Sequence, residues 1–159
     1  MPNGPRYDDD FYAWTQHQAK VLREMPVTDN RFDREHVAEE LEDLGKSERD
    51  AVRSQIRRII EHLLKLAHSP AAPPRFAWME TIIDARQSLS DKMSPTLRRD
   101  AETSLGKLYT HARKRAEASL RGMVNQVRPR RCRNFVLIDS TTSAETIGIP
   151  NAPEHSHDP

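Results

Sequence analysis

From Asp33 to His68 the chain carries an apolar residue at nearly every helical return and no proline. Val37, Leu41, Leu44, Val52, Ile56, Ile59, Leu63 and Leu66 recur at steps of three, four or eight, the spacing of one helix face. The phase holds across Gly45, because Leu44 and Ala51 stand two turns apart. One very long helix over about residues 33–68 is therefore expected. Alanine at a helical Gly45 is then expected to be neutral or stabilising by up to roughly 1 kcal/mol.

The same reading predicts three more helices. Phe11, Trp14, Gln18, Val21, Leu22 and Met25 form the stripe of a first helix, with Asp8, Asp9 and Asp10 at its start and Pro26 at its end. After the break Ser69-Pro-Ala-Ala-Pro-Pro74, a third stripe runs through Phe76, Met79, Ile82, Ile83, Leu89 and Met93. Ser94-Pro95 offers an N-cap and a first helical residue. From there Leu97, Ala101, Leu105, Leu108, Ala112, Ala116 and Leu120 carry the last helix to about Gly122. The expected fold is all-α, an antiparallel four-helix bundle with one very long helix. The helical domain spans 7–124, and 125–159 is a basic, then Ser/Thr/Pro/His-rich, flexible tail; within it Phe135–Ile138 is a short apolar run that suits an edge strand.

Composition narrows this picture. The apolar fraction of 36% and charged fraction of 31% suit helices with solvated outer faces. A single cysteine, Cys132, leaves no internal disulfide and no CxxC zinc site, and with no signal-peptide pattern and no spanning apolar run a cytoplasmic protein is expected. The net charge of +1 hides a local asymmetry. Asp33 to Asp50 holds eight acids against three bases, whereas Arg121 to Arg133 holds five arginines and no acid. Glu39, Glu40, Glu42 and Asp43 thus form an acidic face suited to a basic partner. Arg128, Arg130, Arg131 and Arg133 suit the phosphates of a nucleic acid.

Some polar residues fall on the apolar stripes. With Leu41 as reference, Glu48, Gln55 and His62 line up on the core side of the long helix, seven residues apart. Arg86 aligns with Met79 and Ile82, Arg115 with Leu108 and Ala112, and Gln18 lies on the first helix's stripe. Buried charge needs a partner, so Glu48 is expected to pair with Arg86 or Arg115 inside the bundle. The set reads either as structural ion pairing or as a ligand or catalytic pocket. Glu48 and His62 are about 21 Å apart along one helix, too far to share one small site. His36 and Glu40 have the i, i+4 spacing of an exposed charge pair or of half a metal site.

Recognisable catalytic chemistry is missing from the sequence. It has no Gly-rich phosphate loop, no GxSxG and no HExxH, and it contains five glycines in all. A di-iron bundle needs two Glu-x-x-His motifs, and Glu154–His157 in the tail is the single match. No catalytic residue, metal or cofactor is therefore assigned.

YDDDFYAWTQHQAKVLR, HVAEELEDLGKSERDAVRSQ, EHLLKLAHSP, WMETI and LGKLYTHARKRA together resemble the bacterial domain-of-unknown-function 29 family, over roughly residues 7–120. The acidic stretch ending LGKSE, followed about fifteen residues later by HLLK, carries the resemblance. It implies an all-helical fold and no assigned activity. Family members usually end in a Cys-Pro-aromatic segment and an acidic, aromatic terminus; here Cys132 stands among arginines instead. The expected function is that of a non-enzymatic helical interaction or regulatory protein, with a protein partner or self-association through helical faces and no membrane. Nucleic-acid association through residues 121–133 is the second expectation, and an enzyme or metal protein built on the polar cluster the third.

Overall fold

A computed structural model describes residues 4–26, 28–29, 31–69 and 74–126. It contains four helices: α1 (Phe11–Glu24), α2 (Arg34–His68), α3 (Arg75–Lys92) and α4 (Pro95–Gln126), and no strand among the described residues. The fold is all-α, an antiparallel bundle, and α2 is one uninterrupted helix of 35 residues. No described helix is long and apolar enough to cross a membrane.

Side chains at the helix ends explain where each helix begins. Asp10 caps α1 by accepting a hydrogen bond from the Ala13 amide at 2.9 Å. Its second oxygen accepts from the Thr96 amide at 3.0 Å, so one buried carboxylate satisfies donors at the start of both α1 and α4. Ser94 caps α4 through the Leu97 amide, and Asp33 caps α2 through the His36 amide. Arg75 covers the far end of α2 by donating to the Leu66 carbonyl at 2.8 Å.

The described residues divide into two compact units. The first takes in residues 4–54 and 91–104, that is α1, the first part of α2 and the first part of α4. Its interior is built largely from small side chains: Thr15 and Ala19 of α1, Ala38 and Val52 of α2, Leu97 and Ala101 of α4. Gly45 of α2 faces α1, and a Cβ added there would run into Thr15 and come within 2.7 Å of the Gln16 amide nitrogen. This overturns the expectation of a neutral alanine. Gly45 is helical, but its missing side chain is what lets α1 approach, and Gln16 then donates to the Glu42 carbonyl at 3.2 Å. Arg53 clamps Asp100 with two parallel hydrogen bonds of 2.8 and 2.7 Å.

The second unit takes in residues 55–90 and 105–126. Its interior holds more large side chains, Ile56, Ile59, Ile60 and Leu64 of α2, Trp78, Ile82 and Leu89 of α3, and Leu108 and Leu120 of α4, together with the small Ala85, Ala112 and Ala116. Two charged residues, Glu61 and Lys65, are buried with them.

Candidate functional site

The face of α2 that packs differs from the one its large apolar residues suggest. With Ala38 as reference, Gly45, Val52 and Ile56 lie within about 40° of it at 100° per residue, while Val37, Leu44, Glu48, Gln55 and His62 lie about 80–120° to one side. Ala38, Val52 and Ile56 are buried accordingly, while Val37 keeps 39% and Leu44 49% of its surface exposed. Bulk misled the sequence reading, because in the first unit the closely packed face is made of small residues.

That displacement creates a groove on α2. Asp33, His36, Val37, Glu40, Leu41 and Leu44 line a hollow of about 440 Å³. Its floor is aliphatic and its rim is mostly acidic. His36 Nδ1 lies 2.6 Å from Asp33 Oδ2, so His36 pairs with Asp33 and not with Glu40 as its spacing suggested. The hydrogen bond to Asp33, helped by the charges of Asp33 and Glu39, raises the imidazole pKa; the bond from His36 lowers that of Asp33. The expected acidic face divides in two. Glu39 and Glu40 are exposed, whereas Glu42 is paired with Arg23, which also reaches Glu35 at 2.8 Å, and Asp43 is paired with Lys46 at 2.7 Å. Arg23's hydrogen bond holds the Glu42 carboxyl below its ordinary range.

A second hollow in the same unit, of about 340 Å³, is lined by Asp8, Asp9, Phe11, Tyr12, Glu48 and Lys92 among others. Here the expected Glu48 pairing is corrected. Lys92 donates to both Glu48 oxygens, at 2.9 and 2.7 Å, and the pair is partly exposed. Glu48 stands on the flank of α2, so it needs no buried arginine. Arg86 is exposed, on the outer side of α3 beside Ile83. Arg115 holds Glu61 and not Glu48, at 3.0 Å, from a largely exposed position. His62 is half-buried and its Nδ1 lies 2.8 Å from the Arg58 carbonyl of its own helix. Gln55 is half-buried with its side-chain oxygen unpaired among the described residues, and Gln18 is half-buried on α1. Glu48 and Gln18 belong to the first unit and the other four to the second, and among the described residues no ion pair joins two members of the set.

The charged centre that the sequence reading missed is in the second unit. Glu61 accepts from Lys65 at 2.6 Å and from Arg115 at 3.0 Å. Burial works against the Glu61 carboxylate, but the hydrogen bond from Lys65 and the two positive charges prevail, and its pKa is lowered. The signal was present: Glu61 and Lys65 have i, i+4 spacing, and Ile59, Ile60, Leu63 and Leu64 around them widen the buried sector until it takes them in. Among the described residues no group of three or more His, Cys, Asp or Glu side chains is placed to hold a metal ion. Arg128, Arg130, Arg131 and Arg133, the run Phe135–Ile138 and the rest of the tail lie outside the described residues.

The family described as Domain of unknown function DUF29 matches residues 6–134, most of the chain. The chain belongs to the DUF29 family. A similar fold is found in the crystal structure of an alpha-helical protein of unknown function from Rhodospirillum rubrum, 26% identical, with a TM-score of 0.74 over 90% of this chain and 89% of that one. No curated protein matches the chain. The DUF29 assignment and this neighbour fix the fold and leave the activity open.

Proposed function

We propose that this protein is a non-enzymatic interaction module, and that the α2 groove receives a basic amphipathic segment of a protein partner. The observation that carries this reading is the inversion on α2: Ala38 and Gly45 face inward while Val37 and Leu44 face solvent beside Asp33 and Glu40. Val37, Leu41 and Leu44 stand at i, i+4 and i+7 on one face of α2, so they present one apolar stripe along which the apolar face of an amphipathic helix can lie. Exposed acids along the rim select the sign of the partner, and a second copy of the same groove would set like charges against each other. Half-exposed side chains offer only part of the roughly 1.5–3 kcal/mol that each gives when fully buried, so a weak, reversible contact is expected.

The test is a pair of amphipathic helical peptides with the same leucine stripe, one flanked by lysines and one by glutamates. Binding of the lysine peptide to the full chain, weakened by salt and lost in Leu44→Glu, supports the reading. Equal binding of both peptides, or of neither, contradicts it. A second reading, nucleic-acid association, is supported by the five arginines without an acid in Arg121–Arg133. It predicts that deleting residues 125–159 abolishes retention on duplex DNA or RNA at low salt; unchanged retention would dismiss it.

A further inference from the structure

The α2 groove has an aliphatic floor, Val37, Leu41 and Leu44, and a mostly acidic rim. Val37 and Leu44 are exposed, as are Glu39 and Glu40, which enter no salt bridge among the described residues. The complement of such a surface is a segment that sets arginines beside apolar side chains. Outside its four helices the chain has one such run. Arg128, Arg130, Arg131 and Arg133, with no acid among them, lead into Phe135, Val136, Leu137 and Ile138. In extended form those four apolar residues span about 10 Å, and Val37 to Leu44 is also about 10 Å along α2.

Resting on the groove reading of α2, we propose that its occupant is residues 128–138 of a second copy of this chain. The arginines meet the acids of the rim, and the apolar four cover the aliphatic floor, whose exposure has a cost in water. Chain length selects a second copy. α4 is one helix, and at 1.5 Å per residue Gln126 lies about 33 Å along it from Ser104, the last α4 residue of the first unit. Phe135 follows nine residues later, a reach of at most about 32 Å. A segment that must first return along α4 has no length left to lie in the groove of its own chain. A second copy has no such limit. The apolar four also separate this contact from nucleic-acid association, because phosphates need only the arginines.

Groove and segment are different surfaces, so the contact is head-to-tail, and every assembly keeps one groove and one segment free. Its area is small, so association is weak and concentration-dependent. Sedimentation velocity on the full chain, under reducing conditions and from low to high micromolar concentration, should show reversible dimers and longer species, fewer as salt rises. Leu44→Glu removes the groove and keeps the segment; Phe135→Ser combined with Leu137→Ser does the reverse. Each variant alone should associate at least about tenfold more weakly than the wild type. An equimolar mixture of the two should form heterodimers and nothing longer. A monomeric wild type overturns the proposal, including one whose segment folds back on its own groove. So does association of either variant at wild-type strength, or a mixture that stays monomeric. The lysine-flanked peptide, added to the Phe135→Ser, Leu137→Ser chain, separates the two failures. Peptide binding without self-association of the wild type removes the second copy and leaves the groove reading standing; absence of peptide binding removes both.

Discussion

The first unit and the second differ in how much bulk they bury. In the first, small residues such as Ala19, Ala38, Gly45 and Ala101 face inward, and much of the bulk on α2 is left outside. In the second, isoleucine, leucine and tryptophan, packed with Ala85, Ala112 and Ala116, extend the interior so far that a glutamate and a lysine are buried with them. Close approach of helices displaces large side chains to the flank, where they form an acid-rimmed groove. A wide apolar core instead takes in charge at its edge, and α3 carries its surplus bulk on the outer side.

If burial of charge distinguishes the second unit, breaking it has the largest effect. Glu61→Ala leaves Lys65 buried without its acceptor and should cost about 3–5 kcal/mol in denaturant unfolding. Glu61→Leu combined with Lys65→Met should recover most of that. The same carboxylate gives an acid signature. Its folded pKa lies below the ordinary 4.5, so its contribution is complete above that value and is lost as pH falls through the lowered one.

The two glycines on either side of the comparison sharpen it. Gly45→Ala should destabilise by roughly 1–2 kcal/mol, since overpacking against Thr15 and Gln16 outweighs helix propensity. Gly106→Ala, where an added Cβ meets nothing within 4 Å, should be neutral or stabilising by up to about 1 kcal/mol. Equal effects at both positions would remove close approach as the organising feature of the first unit.

Smaller effects belong to the groove. Leu44→Glu should change stability by no more than about 0.5 kcal/mol, as expected for a half-exposed site, while lowering lysine-peptide binding at least about tenfold. His36 supplies a pH dependence. Its folded pKa is raised above 6.5 by Asp33, so its pairing is complete below that value and fades as pH rises through the raised one. The rim then becomes more negative, and lysine-peptide binding should strengthen modestly over the same interval. His36→Gln should flatten that profile.

Helix number, order and the continuity of α2 were legible because apolar periodicity and the Pro26, Pro70–Pro74 and Ser94-Pro95 signals act locally. Which face of α2 packs was not. The period fixes that a stripe exists, but Leu41 and Leu44 outweigh Ala38 and Gly45 in any reading by bulk, and the choice depends on how near α1 comes. The error of about 60° carried Glu48, Gln55 and His62 inward on paper and concealed Glu61 and Lys65, about 220–300° further round the same wheel. Asp10 shows the same limit. Its cap on α1 was readable, but its bond to the Thr96 amide, 86 residues away in sequence, depends on tertiary packing.

The most direct measurement is an amide chemical-shift titration of the isotopically labelled full chain with the lysine-flanked peptide. Saturable shifts concentrated at residues 33–44 and fading with salt are the predicted result. Shifts centred elsewhere, or a perturbation at residues 33–44 that Leu44→Glu leaves intact, would contradict an interaction site in the α2 groove.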